Sequence, residues 1–368
     1  MAWLCAHCGT ETTVTDECPE CGDAPYLQGT YRLEEQIGHG ASGITYRATR
    51  LADEHTVAIK ELSYNAMQSF EMEKLFSREA KVLQQLDHSG IPAYIDDFTV
   101  ESGKQLSLYL VQEFVDGESL EQEMASTRYS EADILHILEE LADILVYLQE
   151  LRPPVFHRDI KPTNVMRTDA GELMLIDFGS VKATTDGAVG GSTVAGTFGY
   201  MAPEQHWGKA TRKTDLYGLG ALGLALLSRR EPTEFVGSDH RLVWKERVDA
   251  SEPMTRLLGE LLAHKTEDRP ADAHAARELI RNARRQVTRG AEQASADYLR
   301  EREEAERNEW RQAKEGRETD AVDDWSQTDP DMSGPAYDRT TDSEADGSQP
   351  EIPGTDSSGQ KRGVLAVF

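Results

Sequence analysis

Cysteine is nearly absent: the 368 residues hold four, all within the first 21 positions. A disulfide framework through the main body of the chain is therefore excluded, and an apolar core must hold it together. Lysine is scarce as well, at 12 against 27 arginines, and 66 Asp and Glu residues leave a formal charge of -27. That balance removes a general electrostatic grip on nucleic-acid phosphates or anionic lipid, so no nucleic-acid partner is expected. Long apolar runs are missing. The best, Leu216 to Leu227, covers 12 residues with three glycines and is followed by Arg229 and Arg230, too short to cross a bilayer. It reads as a buried helix, and no membrane span is expected. The opening Met1-Ala2-Trp3-Leu4-Cys5 lacks the basic leader and apolar stretch of a signal peptide, which makes the cytoplasm the expected compartment.

The four cysteines that are present form two knuckles, Cys5-x-x-Cys8-Gly9 and Cys18-x-x-Cys21-Gly22, nine residues apart. Four thiolates at this spacing suit a tetrahedral Zn2+ with a closed coordination shell, a structural site with no open position for catalysis. A segment this small cannot build a core without such a staple. Two disulfides are the alternative, against the reducing compartment expected above. His7, between the first two ligands, reads as a bystander. Residues 1–29 carry Asp16, Glu17, Glu20 and Asp23 but no Lys or Arg, so a protein is the expected docking partner of this zinc ribbon.

Composition divides the rest. From Tyr31 to about Phe114, stretches such as Thr56 to Lys60 and Leu106 to Phe114 alternate like strands, with one helical interruption from Phe70 to Leu86. Beyond Glu118 the spacing turns helical, clearest at Ile134, Leu138, Leu141, Leu145 and Leu148. A strand-rich half followed by a helix-rich half is an α+β arrangement. From Ala275 to about Glu318 the chain is dense in Ala, Glu, Arg and Gln and suits a helix that becomes polar nearly all round. After Thr319 it is rich in Asp, Ser, Thr, Gly and Pro, and disorder is expected. Residues 290–368 hold 20 acidic and 9 basic side chains, a tether, a docking segment or a set of phosphorylation targets such as Thr340, Thr341 and Ser343.

The motifs between these ends carry chemistry. In Gly38-His39-Gly40-Ala41-Ser42-Gly43 the missing side chains let backbone N–H groups approach a polyphosphate. Ile44 to Ala48 then reads as a strand, not a helix, so the glycines form a hairpin lid and a dinucleotide-binding fold is excluded. Val57-Ala58-Ile59-Lys60 sets a lysine on an apolar strand, where its ammonium needs a carboxylate; Glu79 is the candidate. His157-Arg158-Asp159-Ile160-Lys161-Pro162-Thr163-Asn164 is followed, thirteen residues after Asn164, by Asp177-Phe178-Gly179.

In this order the motifs resemble the protein kinase superfamily, and within it the bacterial and archaeal type of serine/threonine protein kinase with an N-terminal zinc ribbon. The resemblance implies a bilobal protein kinase fold, with a strand-rich N-lobe and a helical C-lobe. The expected organisation is a zinc ribbon at 1–24, a connector at 25–30, a kinase domain at 31–285, a charged helical extension at 286–318 and a disordered acidic tail at 319–368. It implies Mg2+-dependent transfer of the ATP γ-phosphoryl group to Ser or Thr hydroxyls of protein substrates, with autophosphorylation. Asp159 would orient the substrate hydroxyl, Lys161 would stabilise the transferring group, and Asn164 and Asp177 would hold Mg2+. Lys60 would hold the α and β phosphates and Glu79 would hold Lys60. Ile37, Gly38, His39, Gly40, Ala41, Ser42, Gly43, Ile44 and Thr45 would form the lid, with Thr45 where the family usually has valine. Gln112 would be the gatekeeper, Glu113 and Val115 would pair with adenine, and Ala58 and Met166 would sandwich it.

Later landmarks resemble the family too. Ala202-Pro203-Glu204 matches the end of the activation segment, Arg269 the buried partner of that glutamate, and Asp215 the aspartate bracing the catalytic loop. Lys161 and Thr197 imply Ser/Thr substrates. Arg158 implies control by phosphorylation, with Thr184, Thr185, Ser192 and Thr193 as candidate sites. The alternative is a pseudokinase scaffold acting through the ribbon and the acidic tail. Oligomeric state is not set by these features.

Overall fold

The computed structural model describes residues 2–40, 43–65, 76–77, 80–102, 105–178, 182–183 and 196–324. One compact unit comprises Met1–Leu299; a second, Arg300–Phe368, is helical through Asp324. The first unit begins with an antiparallel sheet of seven strands: β1 (Trp3–Leu4), β2 (Glu11–Thr12), β3 (Tyr31–Gly40), β4 (Gly43–Arg50), β5 (His55–Asn65), β6 (Tyr94–Ser102) and β7 (Gln105–Glu113). Their order is β2-β1-β3-β4-β5-β7-β6. Strand alternation sorts β5: Val57 and Ile59 are fully buried with Leu33, Ala48, Tyr109 and Val111, which leaves Ala58 and Lys60 on the opposite face.

The ribbon is stitched into this sheet. Leu4 of β1 pairs with Leu33 of β3, the Ala6 N–H donates to the Pro25 carbonyl at 2.9 Å, and the Arg32 guanidinium lies 5.5 Å from the centre of the Trp3 ring. Expected as a module on a connector, the ribbon thus has a backbone link to the same strand that runs on to the glycines of the lid.

Beyond β8 (Gly117–Ser119) the chain is mainly helical: α1 (Leu120–Ser126), α2 (Glu131–Glu150), α3 (Thr214–Ser228), α4 (Glu252–Leu261) and α5 (Ala273–Asp324). Capping boxes start α1 and α2, where Ser119 with Gln122 and Ser130 with Asp133 satisfy backbone N–H groups that a first turn leaves unpaired. The predicted stripe on α2 is the core itself: Ile134, Leu138, Leu141, Leu145 and Leu148 are all at most 1% exposed. Each such burial stabilises by about 1.5–3 kcal/mol. The run read as a buried helix is α3, enclosed from Thr214 through Leu226, and a Cβ on Gly223 would stand 3.0 Å from both Leu138 and Leu258. That glycine lets three helices converge. Charged side chains tie α5 to α2, with Arg277 on Asp143 at 2.7 Å and Arg281 on Glu139 at 2.7 Å. Short strands β9 (Val155–Phe156), β10 (Val165–Thr168), β11 (Leu173–Leu175) and β12 (Lys182–Ala183) form two small sheets, ordered β11-β10-β8 and β12-β9.

The charged helix continues to Asp324, and the tail beyond it, with Thr340, Thr341 and Ser343, lies outside the described residues. Among the described residues, no helix is long and apolar enough to cross a membrane.

Gly43, at φ 108°, opens β4, and a Cβ there would fall 2.1 Å from the Glu61 carbonyl oxygen. Backbone on backbone leaves no room to yield. Gly43→Ala should cost about 1–3 kcal/mol and lower the melting temperature by roughly 2–10 °C, read by thermal denaturation; an unchanged transition would contradict the assigned lid geometry.

Candidate active site

The loop between β9 and β10 is fixed from beneath. His157 and Arg158 donate their backbone N–H groups to Asp215 Oδ2 and Oδ1 at 2.9 and 2.7 Å, and Asp215 sits in the first turn of α3, 2% exposed. Burial pushes the Asp215 carboxyl up; the nearby His157 and the two amides pull the other way. The His157 ring, fully enclosed, hydrogen-bonds through Nε2 to the Ile176 carbonyl at 3.1 Å and meets the buried Phe178 ring edge-on at 4.8 Å. Arg158 adopts φ 70° and Asp177 φ 62°, a left-handed conformation that side chains other than glycine take at a cost of about 1–3 kcal/mol. Arg158 precedes the candidate Asp159 and Asp177 is itself a candidate, and both are held by the contacts around them.

On this frame Asp159 is ringed by donors. Its Oδ1 accepts from the Thr197 hydroxyl at 2.8 Å; its Oδ2 accepts from Asn164 Nδ2 at 3.1 Å and pairs with Lys161 Nζ at 2.9 Å. Lys161 Nζ also donates to Thr197 Oγ1 at 2.7 Å, closing a triangle of carboxylate, ammonium and hydroxyl. Asn164 Nδ2 bonds the Asp159 backbone carbonyl as well, at 2.8 Å, so its amide nitrogen is committed, while its oxygen accepts from the Thr163 hydroxyl at 3.5 Å. Asp159, Lys161 and Asn164 are thus assembled at one point. The sequence marks Thr197 only as a sign of substrate class; its bridging hydroxyl, 38 positions from Asp159, has no local signature.

The N-lobe contributes Lys60, whose side chain is 12% exposed and whose ammonium pairs with Asp177 Oδ1 in the other lobe. Glu79, the partner expected from the sequence, lies outside the described residues, as do Ala41, Ser42 and Gly179. The rest of the lid is a hairpin in which Gly38 faces Thr45, His39 faces Ile44 and Gly40 faces Gly43, while Thr45 in turn faces Lys60. Ile37, at the start of this turn, is 47% exposed. Ala58 pairs with Gln112 and Val57 with Glu113. The Glu113 N–H donates to the Ala93 carbonyl at 2.8 Å, and the Ala93 N–H donates to Glu113 Oε2 at 3.1 Å, which anchors the end of β7 before the buried Val115. Met166, on β10, lies between Ser119 of β8 and Met174 of β11.

Glu204 and Arg269 form the pair read from the sequence. Two parallel contacts of 2.7 and 2.9 Å join them, and Arg269 also donates to the Ala263 carbonyl at 2.8 Å and the Lys213 carbonyl at 3.0 Å. Thr214 Oγ1 adds a donor to Glu204 Oε1 at 2.9 Å. Burial works to raise the Glu204 pKa, but the Arg269 hydrogen bonds and charge outweigh it and the carboxyl lies below its ordinary value. Thr184, Thr185, Ser192 and Thr193 lie outside the described residues.

A second site is the cysteine cluster. The four Sγ atoms lie within 4.8 Å of one another, with Cys5 to Cys21 at 3.7 Å and Cys8 to Cys18 at 3.6 Å. Four sulfurs each about 2.3 Å from a tetrahedral zinc would stand about 3.8 Å apart, so the cluster fits that ion. The knuckles repeat one geometry: Gly9 N–H donates to the Cys5 carbonyl and Gly22 N–H to the Cys18 carbonyl, both at 2.8 Å, with the glycines at φ 72° and 78°. His7 faces Asp23 at 3.9 Å.

The family model described as "Protein kinase domain" matches residues 31–282. Serine/threonine-protein kinase D of Synechocystis sp. is 33% identical over 282 residues, covering 72% of this chain and 54% of that protein. Serine/threonine-protein kinase PknA of Nostoc sp. is 31% identical over 261 residues (66% and 45%), and PrkC of Bacillus subtilis is 30% identical over 210 residues (56% and 31%). The chain spans about half the length of the curated relatives it matches first.

Truncating Arg269 to Ala would strand a buried carboxylate and should cost about 3–5 kcal/mol in urea unfolding. The depressed Glu204 pKa stabilises the fold above the ordinary value of 4.5, and that contribution is lost as pH falls through the lower folded value. Glu204→Gln should therefore flatten the acid limb of the stability profile. An equally steep limb in this variant would show that other carboxylates set it.

Proposed function

Because the chain belongs to the protein kinase family, we propose that it is an active enzyme that transfers the γ-phosphoryl group of ATP to Ser or Thr hydroxyls of proteins, itself among them. The observation that carries this reading is the ring of donors around Asp159. An acceptor hydroxyl entering that ring would meet a carboxylate oriented by Asn164 and Thr197, with the Lys161 ammonium 2.9 Å from the same carboxylate to offset charge on the moving phosphoryl group. Phosphoryl transfer passes through a loose transition state, so placement and cations do most of the work.

Lys60 would supply a further cation for the α and β phosphates, with Glu79 the partner expected from the sequence. The lid from Ile37 to Thr45 would offer backbone N–H groups, and Ala58, Gln112, Glu113, Val115 and Met166 would form the adenine site. Asn164 and Asp177 would hold Mg2+, which shields charge on the phosphates when bound. Cys5, Cys8, Cys18 and Cys21 would hold one structural Zn2+, and the ribbon would dock a protein partner. Thiols kept for a metal suit a reducing compartment, which supports a cytoplasmic setting.

Asp159→Ala should lower kcat for phosphate transfer from Mg-ATP by at least about 100-fold while the melting temperature holds. Folded wild-type protein without transfer, to itself or to a generic basic protein, would instead favour the scaffold reading. Metal analysis should find one zinc per chain, removed by Cys5→Ser with a loss of thermal stability; a metal-free, fully stable wild type would overturn the zinc assignment.

A further inference from the structure

Gln205 follows the Ala202-Pro203-Glu204 triplet and has no part in the proposed chemistry, yet it is 2% exposed and its carboxamide is used at both ends. Oε1 accepts from the Ala202 N–H at 2.9 Å, and Nε2 donates to the Arg158 carbonyl at 2.8 Å, across 47 positions of sequence. The short 3-10 helix Pro203–Trp207 aims the side chain there.

The receiving carbonyl matters because it belongs to the peptide that joins Arg158 to Asp159. Arg158 is in the left-handed conformation at φ 70°, and its N–H is already held by Asp215 Oδ1 at 2.7 Å. Gln205 holds the other end. With the amide and the carbonyl of one residue clamped, the next Cα has little freedom to turn, and the Asp159 carboxylate is carried on it.

Gly196 makes the same point from the other side. At φ 128°, a Cβ on it would stand 3.0 Å from both the Arg158 carbonyl oxygen and Gln205 Nε2. The backbone at this position is pressed against that hydrogen bond, and the next residue, Thr197, bonds Asp159 Oδ1 at 2.8 Å. Two contacts therefore register this stretch against Asp159, Gln205 on the peptide that precedes it and Thr197 on its carboxylate.

We infer that Gln205 is a positioning residue for phosphoryl transfer: it fixes the Arg158–Asp159 peptide so that Asp159 meets the acceptor hydroxyl. This rests on the role proposed for Asp159. A neutral group is essential to it, because only a side chain that accepts at one end and donates at the other can bridge an N–H and a carbonyl.

The test is steady-state kinetics of full-length wild type, Gln205→Ala, Gln205→Glu and Asp159→Ala across pH 5.5–9, with thermal unfolding of each. Gln205→Ala should lower kcat by about 10- to 100-fold at every pH with little change in the KM for ATP, as expected when a reacting group is misplaced by a fraction of an ångström to about an ångström. Gln205→Glu should be similarly slow at high pH, where its carboxylate cannot donate, and should recover reversibly as pH falls and the protonated carboxyl donates to Arg158. Recovery within one sample separates positioning from misfolding. Full kcat in both Gln205 variants, or a Gln205→Glu deficit that stays constant with pH, would overturn the inference. An Asp159→Ala enzyme that remained active would instead remove the reading beneath it.

Discussion

A single enclosed carboxylate organises the candidate active site of this molecule. Asp215 has almost no exposed surface, and it spends both oxygens on consecutive backbone amides, those of His157 and Arg158. A loop of irregular backbone cannot satisfy its own amides as a helix or strand does, and buried amides without partners are costly. By taking up two of them, Asp215 lets the chain enter the interior in a left-handed turn and emerge with Asp159 facing a space ringed by donors. It sits on α3, enclosed from Thr214 through Leu226, so its position is inherited from apolar packing. The order of dependence runs from Leu138, Gly223 and Leu258, through α3, to Asp215 and then to the loop.

The large elements were readable from the sequence because each has a local cause. A stripe every three or four residues produced α2, alternation produced β5 and β7, and the all-apolar stretch with three glycines produced α3. The cysteine cluster was readable for another reason: soft ligands at paired spacing have few uses. Much of the motif set was likewise visible as residue types in order.

Partnership across long separations was less readable. Lys60 and Asp177 meet over 117 positions, and nothing in either neighbourhood encodes the other's distance. Thr197 and Gln205 belong to the same class: a hydroxyl and an amide are common side chains, and only the folded chain shows that both close on Asp159 and its peptide. The link between ribbon and sheet has no sequence signature either, since a two-residue strand is too short to alternate. Periodicity reports which face of an element is buried; it does not report what that element will touch.

The seven-stranded sheet has a consequence for how the molecule behaves in company. Its outermost strands are β2 and β6, and an outermost strand offers unpaired backbone groups that can recruit another chain. β2 is only two residues long, a poor template for such pairing. β6 is longer, but it carries Asp96, Asp97 and Glu101 and a register break between Tyr94 and Asp96. Charge and irregularity guard one margin, and brevity guards the other. The cysteine knuckles thus have a physical role as a selvedge, covering part of the flank of the ten-residue strand β3 that would otherwise form the margin of the sheet.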